Sequence, residues 1–367
     1  MKISYRSTFA RSTMLAVLST LSIAAHAEEP KISFSGLIDM FYQSNFKKSA
    51  TGSSVNFRQF DVTNNSFTIA SVQGTAVMKP TAENPWGFTL QFSFGKNADI
   101  LAATEPAGPN SALKYVQQGY VTYQGKNYTL DFGKFPAWVG YEGIVAADCD
   151  HYSRPFLYTL AQPIYHLGGR ASSTVGPVAV SLYLVNGWNE TEDSNAGKTY
   201  GASGSVPVGK GTLTLNYIGG NEGSSRVNGF GAGGNTSVHQ GDVIFQYPIS
   251  DKLKFTVNAD YASATGLDAG DPGGKFYGAA GYLKYTASSN SSIGLRVESV
   301  NDPNGFRTGF AARYQSITAG YDMGLSSNST LRAELRYDKS NLNVFNRSNG
   351  GLSNNRTTLT IAHILRF

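Results

Sequence analysis

The sequence predicts an all-β protein, a closed transmembrane antiparallel β-barrel of about 16 strands with short periplasmic turns and long extracellular loops. Three observations predict it. Apolar and polar residues alternate with period two along the chain, aromatics and glycine are abundant while charge is sparse, and short connections take turns with long ones.

Residues 1–27 read as a secretory signal. Lys2, Arg6 and Arg11 make a positive start, Met14 to Ile23 is a short apolar run, and Ala25-His26-Ala27 supplies the small residues that a signal peptidase reads. Cleavage is expected after Ala27. An uncleaved helical anchor would need about 20 apolar residues, well beyond this run. Three basic residues leave with the signal, so the formal net charge falls from +5 to +2. The high isoelectric point therefore implies no nucleic-acid partner.

The chain has 21 Phe, 21 Tyr, 3 Trp and 41 Gly, and only 15% of it is charged. Soluble domains carry nearer 25% charge. An outer-membrane barrel meets lipid on one face and water on the other, so its mean hydropathy stays low while its aromatics stay high. Cys149 is the single cysteine, which rules out an intramolecular disulfide and a cysteine metal cluster. The histidines form no two-His motif at ligand spacing. No cofactor and no metal are expected, and no motif places a catalytic nucleophile.

The expected strands are 32–46, 65–79, 86–95, 114–124, 127–135, 165–175, 177–187, 198–207, 211–219, 237–248, 252–264, 276–286, 292–300, 315–324, 330–340 and 356–367. The residues 306–314 could pair with 315–324 and change the count. The alternation is clearest at 331–338. There Leu331, Ala333, Leu335 and Tyr337 take turns with Arg332, Glu334, Arg336 and Asp338. Successive strand side chains point to opposite faces, so one face is apolar and the other charged. Val178 to Leu184, Lys252 to Tyr261 and Ile293 to Glu298 repeat the pattern. Phe34, Phe41, Tyr42, Trp86, Phe92, Phe94, Tyr120, Tyr123, Tyr247 and Phe367 are expected in interfacial girdles. A sugar-stacking track would instead need inward aromatics in a row, of which Tyr183 is one. Phe367 closes an alternating final strand, the signature that barrel-assembly machinery reads. The run Gly229 to Gly234 is expected to be a loop.

From Lys126 to Ala171 the chain carries Asn127 with Asp131-Phe132-Gly133-Lys134-Phe135, Gly140-Tyr141-Glu142, His151-Tyr152-Ser153-Arg154, and Pro163 through Arg170. In these residues the sequence resembles the β-barrel porin-2 (OmpL-like) family. Phe34 to Asp39, Leu331 to Asp338 and the Phe-terminated last strand fit as well. The family commonly has an Asn where this chain has Cys149 or Asp150. The resemblance implies an outer-membrane porin-like channel and says little about cargo.

The segment 136–164 carries Trp138, Tyr141, Glu142, Asp148, Asp150, His151, Tyr152, Arg154 and Tyr158. A long connection of this kind is usually functional. It is expected to fold inward and narrow a pore, with Glu142, Asp148, Asp150 and Arg154 meeting Lys134, Arg170, Arg296, Arg332 and Arg336 at the constriction. The other reading leaves these carboxylates on an external loop. The ladder from Arg332 to Asp338 has two readings as well, ion selection in the lumen or pairing with neighbouring strands.

Barrels of about 16 strands leave an aqueous channel, whereas those of about 8 are filled by side chains. The implied role is passive diffusion of small hydrophilic solutes or ions across a bacterial outer membrane. Outer-membrane lipid is the expected surrounding, and a homotrimer follows by analogy with porins. The alternatives are a loop-plugged barrel that serves as an anchor or adhesin, and a barrel enzyme, which would need a Ser–His pair at the rim.

Overall fold

The computed structural model describes residues 31–47, 54–103, 112–193, 195–222, 236–266, 273–347 and 350–367. The expected signal at 1–27 and the glycine-rich run at 229–234 lie outside them. Among the described residues, sixteen antiparallel strands close a single barrel. In chain order these are β1 (Ile32–Asn45), β2 (Ser66–Met78), β3 (Trp86–Phe94), β4 (Val116–Gln124), β5 (Tyr128–Pro136), β6 (Tyr165–Val175), β7 (Val178–Val185) and β8 (Thr199–Val208). They continue with β9 (Gly211–Asn221), β10 (Thr236–Pro248), β11 (Leu253–Gly266), β12 (Gly274–Ser288), β13 (Ser291–Asp302), β14 (Ala312–Ser326), β15 (Ser329–Ser340) and β18 (Asn355–Arg366). A small hairpin, β16 (Phe345–Asn346) with β17 (Leu352–Ser353), sits in the connection before the last strand.

Each strand pairs with its sequence neighbour, and β1 pairs with β18 to close the ring. The terminal residue completes the seam. The Gly36 N–H donates to the Phe367 carbonyl at 2.7 Å, and the Phe367 N–H donates back at 3.1 Å. Closure leaves no strand edge open, as a sheet in lipid requires.

The alternation places side chains as the sequence predicts. On β15, Arg332, Glu334, Arg336 and Asp338 are buried in the lumen while Leu335 and Tyr337 face outward. On β7, Leu182 and Leu184 are exposed and Tyr183 is buried inward. The strand expected at 315–324 begins earlier, at Ala312, and the preceding residues form a turn capped by Asp302, whose carboxylate accepts from the Arg307 and Thr308 N–H groups. Residues 306–311 add no extra strand.

Two aromatics depart from the girdle expectation. Phe41 is 3% exposed and packs its ring 5.3 Å from that of Tyr152 inside the barrel. It shares its face of β1 with Asp39 and Gln43, both buried. Tyr120 shares the inner face with Thr122 and lies beneath the Arg170 guanidinium. Phe34, Trp86, Phe92, Phe94 and Phe367 are exposed on the outside.

Two short helices lie in the connections at the end opposite the tight turns. They are α1 (Lys96–Ala102), packed on β2 and β3, and α2 (Phe156–Ala161), packed on β11 to β14. The largest hydrophobic cluster among the described residues is therefore intraluminal. Phe156, Leu157 and Leu160 of α2 meet Ile218, Val238, Phe276, Tyr282 and Tyr314 of the wall.

Candidate functional site

The site is built on the connection between β5 and β6, residues 136–164. Its two ends hang on neighbouring strands of the wall. The Gly140 N–H donates to Asp242 and the Tyr141 N–H to Asn258, while the Gln162 amide donates to Asn258 and to Asp260 at 2.9 Å. Gly140 has φ +95°, a left-handed conformation that disfavours any side chain.

The middle of the segment binds the charged wall. Arg296 reaches the Glu142 carboxylate at 3.2 Å and the Ser153 carbonyl at 2.6 Å. The Tyr152 and Ser153 N–H groups donate to Glu334, the Leu157 N–H donates to Glu298, and the Tyr152 hydroxyl donates to Asp39 at 3.0 Å across the barrel seam. Arg336 donates to the Arg154 carbonyl and pairs with Glu298 and Asp338. Arg332 pairs with Asp322 and donates to the Ala146 carbonyl. Charged donors on backbone carbonyls are among the stronger hydrogen bonds, so this wall holds a backbone trace rather than single side chains.

Arg154 turns inward on its own segment. Its guanidinium donates to the carbonyls of Gly143, Ile144 and Tyr152 and so fixes the loop's shape. At the tip, Asp150 accepts from the Tyr141 hydroxyl at 2.7 Å and meets Lys254 and Lys284, while Asp148 meets Arg366 at 2.5 Å. The tip borders a polar cavity of about 830 Å³ beside the tight turns of β12–β13 and β14–β15.

Burial shifts the groups of this segment. It raises the Glu142 carboxyl above its ordinary value, against the pull of Arg296 and Arg154. It pushes the Cys149 thiol up to about 11. Burial and the nearby Arg296, Arg332 and Lys284 hold His151 well below 6.5. The His151 ring is admitted by two inward glycines: a Cβ on Gly294 would come within 3.1 Å of it, and one on Gly320 within 3.4 Å.

The structure thus brings Glu142, Arg154, Arg296, Arg332 and Arg336 together around the segment, joins Asp150 to Arg332 through Lys284 and Asp322, and pairs Asp148 at the tip with Arg366 instead of with a predicted cation. The carboxylates touch their cations directly instead of facing them across a gap. Two predicted residues stand apart. Lys134 is buried with its ammonium 4.1 Å from the Tyr165 ring centroid. Arg170 pairs with Asp131 on the next strand at 2.7 Å. Sequence reasoning missed Asp39 and Glu298 as anchors of the segment, and it missed the β1–β2 connection. There Arg58 pairs with Asp61 at 3.0 Å and Asp338 at 2.9 Å, while Phe60 packs beside Tyr158 and Arg154. Inward position was readable for Asp39 and Glu298, but contact with a loop over 100 residues away was not. Among the described residues, no cluster of three or more metal-ligating side chains could hold an ion.

Comparison with solved structures finds the same architecture. The anion-selective porin from Comamonas acidovorans superposes with a TM-score of 0.63 at 10% identity, covering 92% of this chain and 100% of that one. Outer-membrane expressed OmpT of Vibrio cholerae gives 0.62 at 12% identity, covering 94% and 99%. The outer membrane channel DcaP of Acinetobacter baumannii gives 0.60 at 10% identity, covering 92% and 97%. At these identities the likeness is one of fold. No curated protein sequence matches the chain. A family model does, over residues 31–367, described as "Putative beta-barrel porin-2, OmpL-like", and the chain belongs to that family of outer-membrane porins.

Proposed function

We propose that segment 136–164 sets the bore of this passive outer-membrane porin. The family and the closed sixteen-strand barrel are those of a channel through which small hydrophilic solutes diffuse without cofactor or energy input. The single observation that carries the constriction reading is the wall's grip on the segment. Arg296, Glu334, Arg332 and Arg336, on two strands, hold it by carboxylate, N–H and carbonyl contacts. Their charges fasten the loop, and on this reading solutes pass along the wall it does not cover. Chemistry plays no part in this reading, and the chain acts as a channel and not as an enzyme.

Several finer statements belong to the same proposal. The mature chain begins after Ala27, Phe367 is the assembly signal, and lipid surrounds the apolar outer face. OmpT of Vibrio cholerae occurs in a trimer form. A homotrimer is the matching proposal here.

One observation favours the plugged-barrel alternative. Arg296, Arg336 and Arg356 are at most 1% exposed inside the lumen. Planar-bilayer recording of the refolded mature protein separates the two. Stepwise openings of a water-filled pore are expected. Silence from protein shown to be folded and inserted would replace the channel with the plug.

A further inference from the structure

The barrel wall away from α2 has a chemistry of its own. In the ring of sixteen strands, β5 lies eight strands from β13, and α2 packs on β11 to β14. The wall opposite α2 is therefore that of β3 to β6, and β7 to β9 continue it toward the strands that α2 covers. Its inward positions carry Thr122, Ser172, Ser181, Ser203, Ser205 and Thr214, all half-buried. These hydroxyls meet in cross-strand pairs, Ser172 with Ser181 at 2.8 Å and Ser205 with Thr214 at 3.0 Å. Higher on the same side, the amides of Gln73, Gln91 and Gln117 bond to one another.

Among these polar groups stands the Arg170–Asp131 ion pair, while Lys134 of β5 is buried beside Tyr165. Arg170 holds Asp131 through Nε at 2.8 Å and a terminal nitrogen at 2.7 Å, and the other Asp131 oxygen accepts from Thr122 at 2.6 Å. The Arg170 guanidinium lies 5.8 Å from the Tyr120 ring centroid and 5.3 Å from that of Phe135. Its side chain is 27% exposed, against 0% for Arg296 and Arg336. Part of the Arg170 side chain stays accessible, while those two arginines are consumed by the loop. Toward the tight turns, Lys254, Lys284 and Arg366 are matched by Asp150, Asp322 and Asp148.

We propose that Arg170 and Asp131 are the charge-balancing pair of the conducting wall, and that the channel takes neutral polyhydroxylated solutes of the sugar or polyol class. The pair cancels, so the wall neither attracts nor repels an ion strongly. Hydroxyls and amides both donate and accept, which matches the hydroxyl groups of such solutes. Selectivity is set by the few charges that solutes reach, so unbalancing this pair shifts it in a predictable direction. The inference rests on the passive-channel reading above.

The test is the potassium-to-chloride permeability ratio of the refolded mature chain in a planar bilayer under a salt gradient. Folding of each variant is checked by its heat-modifiable mobility. The native ratio is expected within about twofold of unity. Asp131→Asn leaves Arg170 unmatched and is expected to favour chloride by roughly threefold or more, and Arg170→Gln to favour potassium by a similar factor. The double variant returns toward unity, which separates charge balance from damage to the barrel. In vesicles, swelling with arabinose is expected to match or exceed that with gluconate. A strongly selective native channel, single variants without opposite shifts, or exclusion of arabinose overturns this inference while leaving the porin standing. A silent inserted barrel removes both.

Discussion

Arg296 and Glu142 illustrate how the lumen spends its charges. Both are buried, and Arg296 also holds the Ser153 carbonyl and the Ser153 hydroxyl. Arg296→Ala strands the Glu142 carboxylate away from water, an uncompensated charge worth about 3–5 kcal/mol. Denaturant titration of the refolded barrel is expected to show that loss, and Glu142→Gln a smaller one, because its amide still hydrogen-bonds. His151 gives the segment a pH dependence. Its folded value lies below 6.5, so the unfolded chain takes up the proton first. Stability from its burial is full above the unfolded value and falls as pH drops below it. Thermal unfolding at the two sides of this window should show the native chain losing more than His151→Phe. Equal slopes would remove His151 from the account.

Strands were legible because a single physical constraint, lipid outside and water inside, writes the same period into each of them. The run at 331–338 states it outright, and its inward and outward sets fall as expected. Position at the membrane surface was less legible. Phe41 and Tyr120 are aromatics of a kind that girdles use, yet their strand parity aligns them with Asp39 and Thr122 on the inner face. Parity decides direction, and residue type only modulates it. The partners of Arg336 were beyond reach for another reason. Glu298 and the Arg154 carbonyl lie 38 and 182 residues away and are brought to it by the β13–β14–β15 meander and by the loop's path. An element-scale prediction follows from the lipid face. Leu335→Arg puts a cation against hydrocarbon and is expected to cost about 2–4 kcal/mol near the midplane, whereas Leu335→Val costs little. Refolding titrations into lipid vesicles measure the difference, and an equal cost for both would place Leu335 away from lipid.

At the scale of the molecule, the barrel and its loop are two layers with different work. The barrel is specified locally, strand by strand, by alternation together with the rhythm of short and long connections, and sixteen strands close it. The loop is specified by long-range charge pairing, with its ends on β10 and β11 and its middle on β13 and β15. Such an arrangement separates folding from permeation, because the loop can be altered while the wall still closes. The most direct test compares single-channel conductance of the native chain with that of a variant whose residues 141–153 are replaced by a short Gly-Ser linker. The account predicts that both fold and insert, and that the variant conducts severalfold more, roughly two- to fivefold, because its lumen has lost its filling. Equal conductance in two folded barrels would contradict it, and would place the limiting bore somewhere other than this segment.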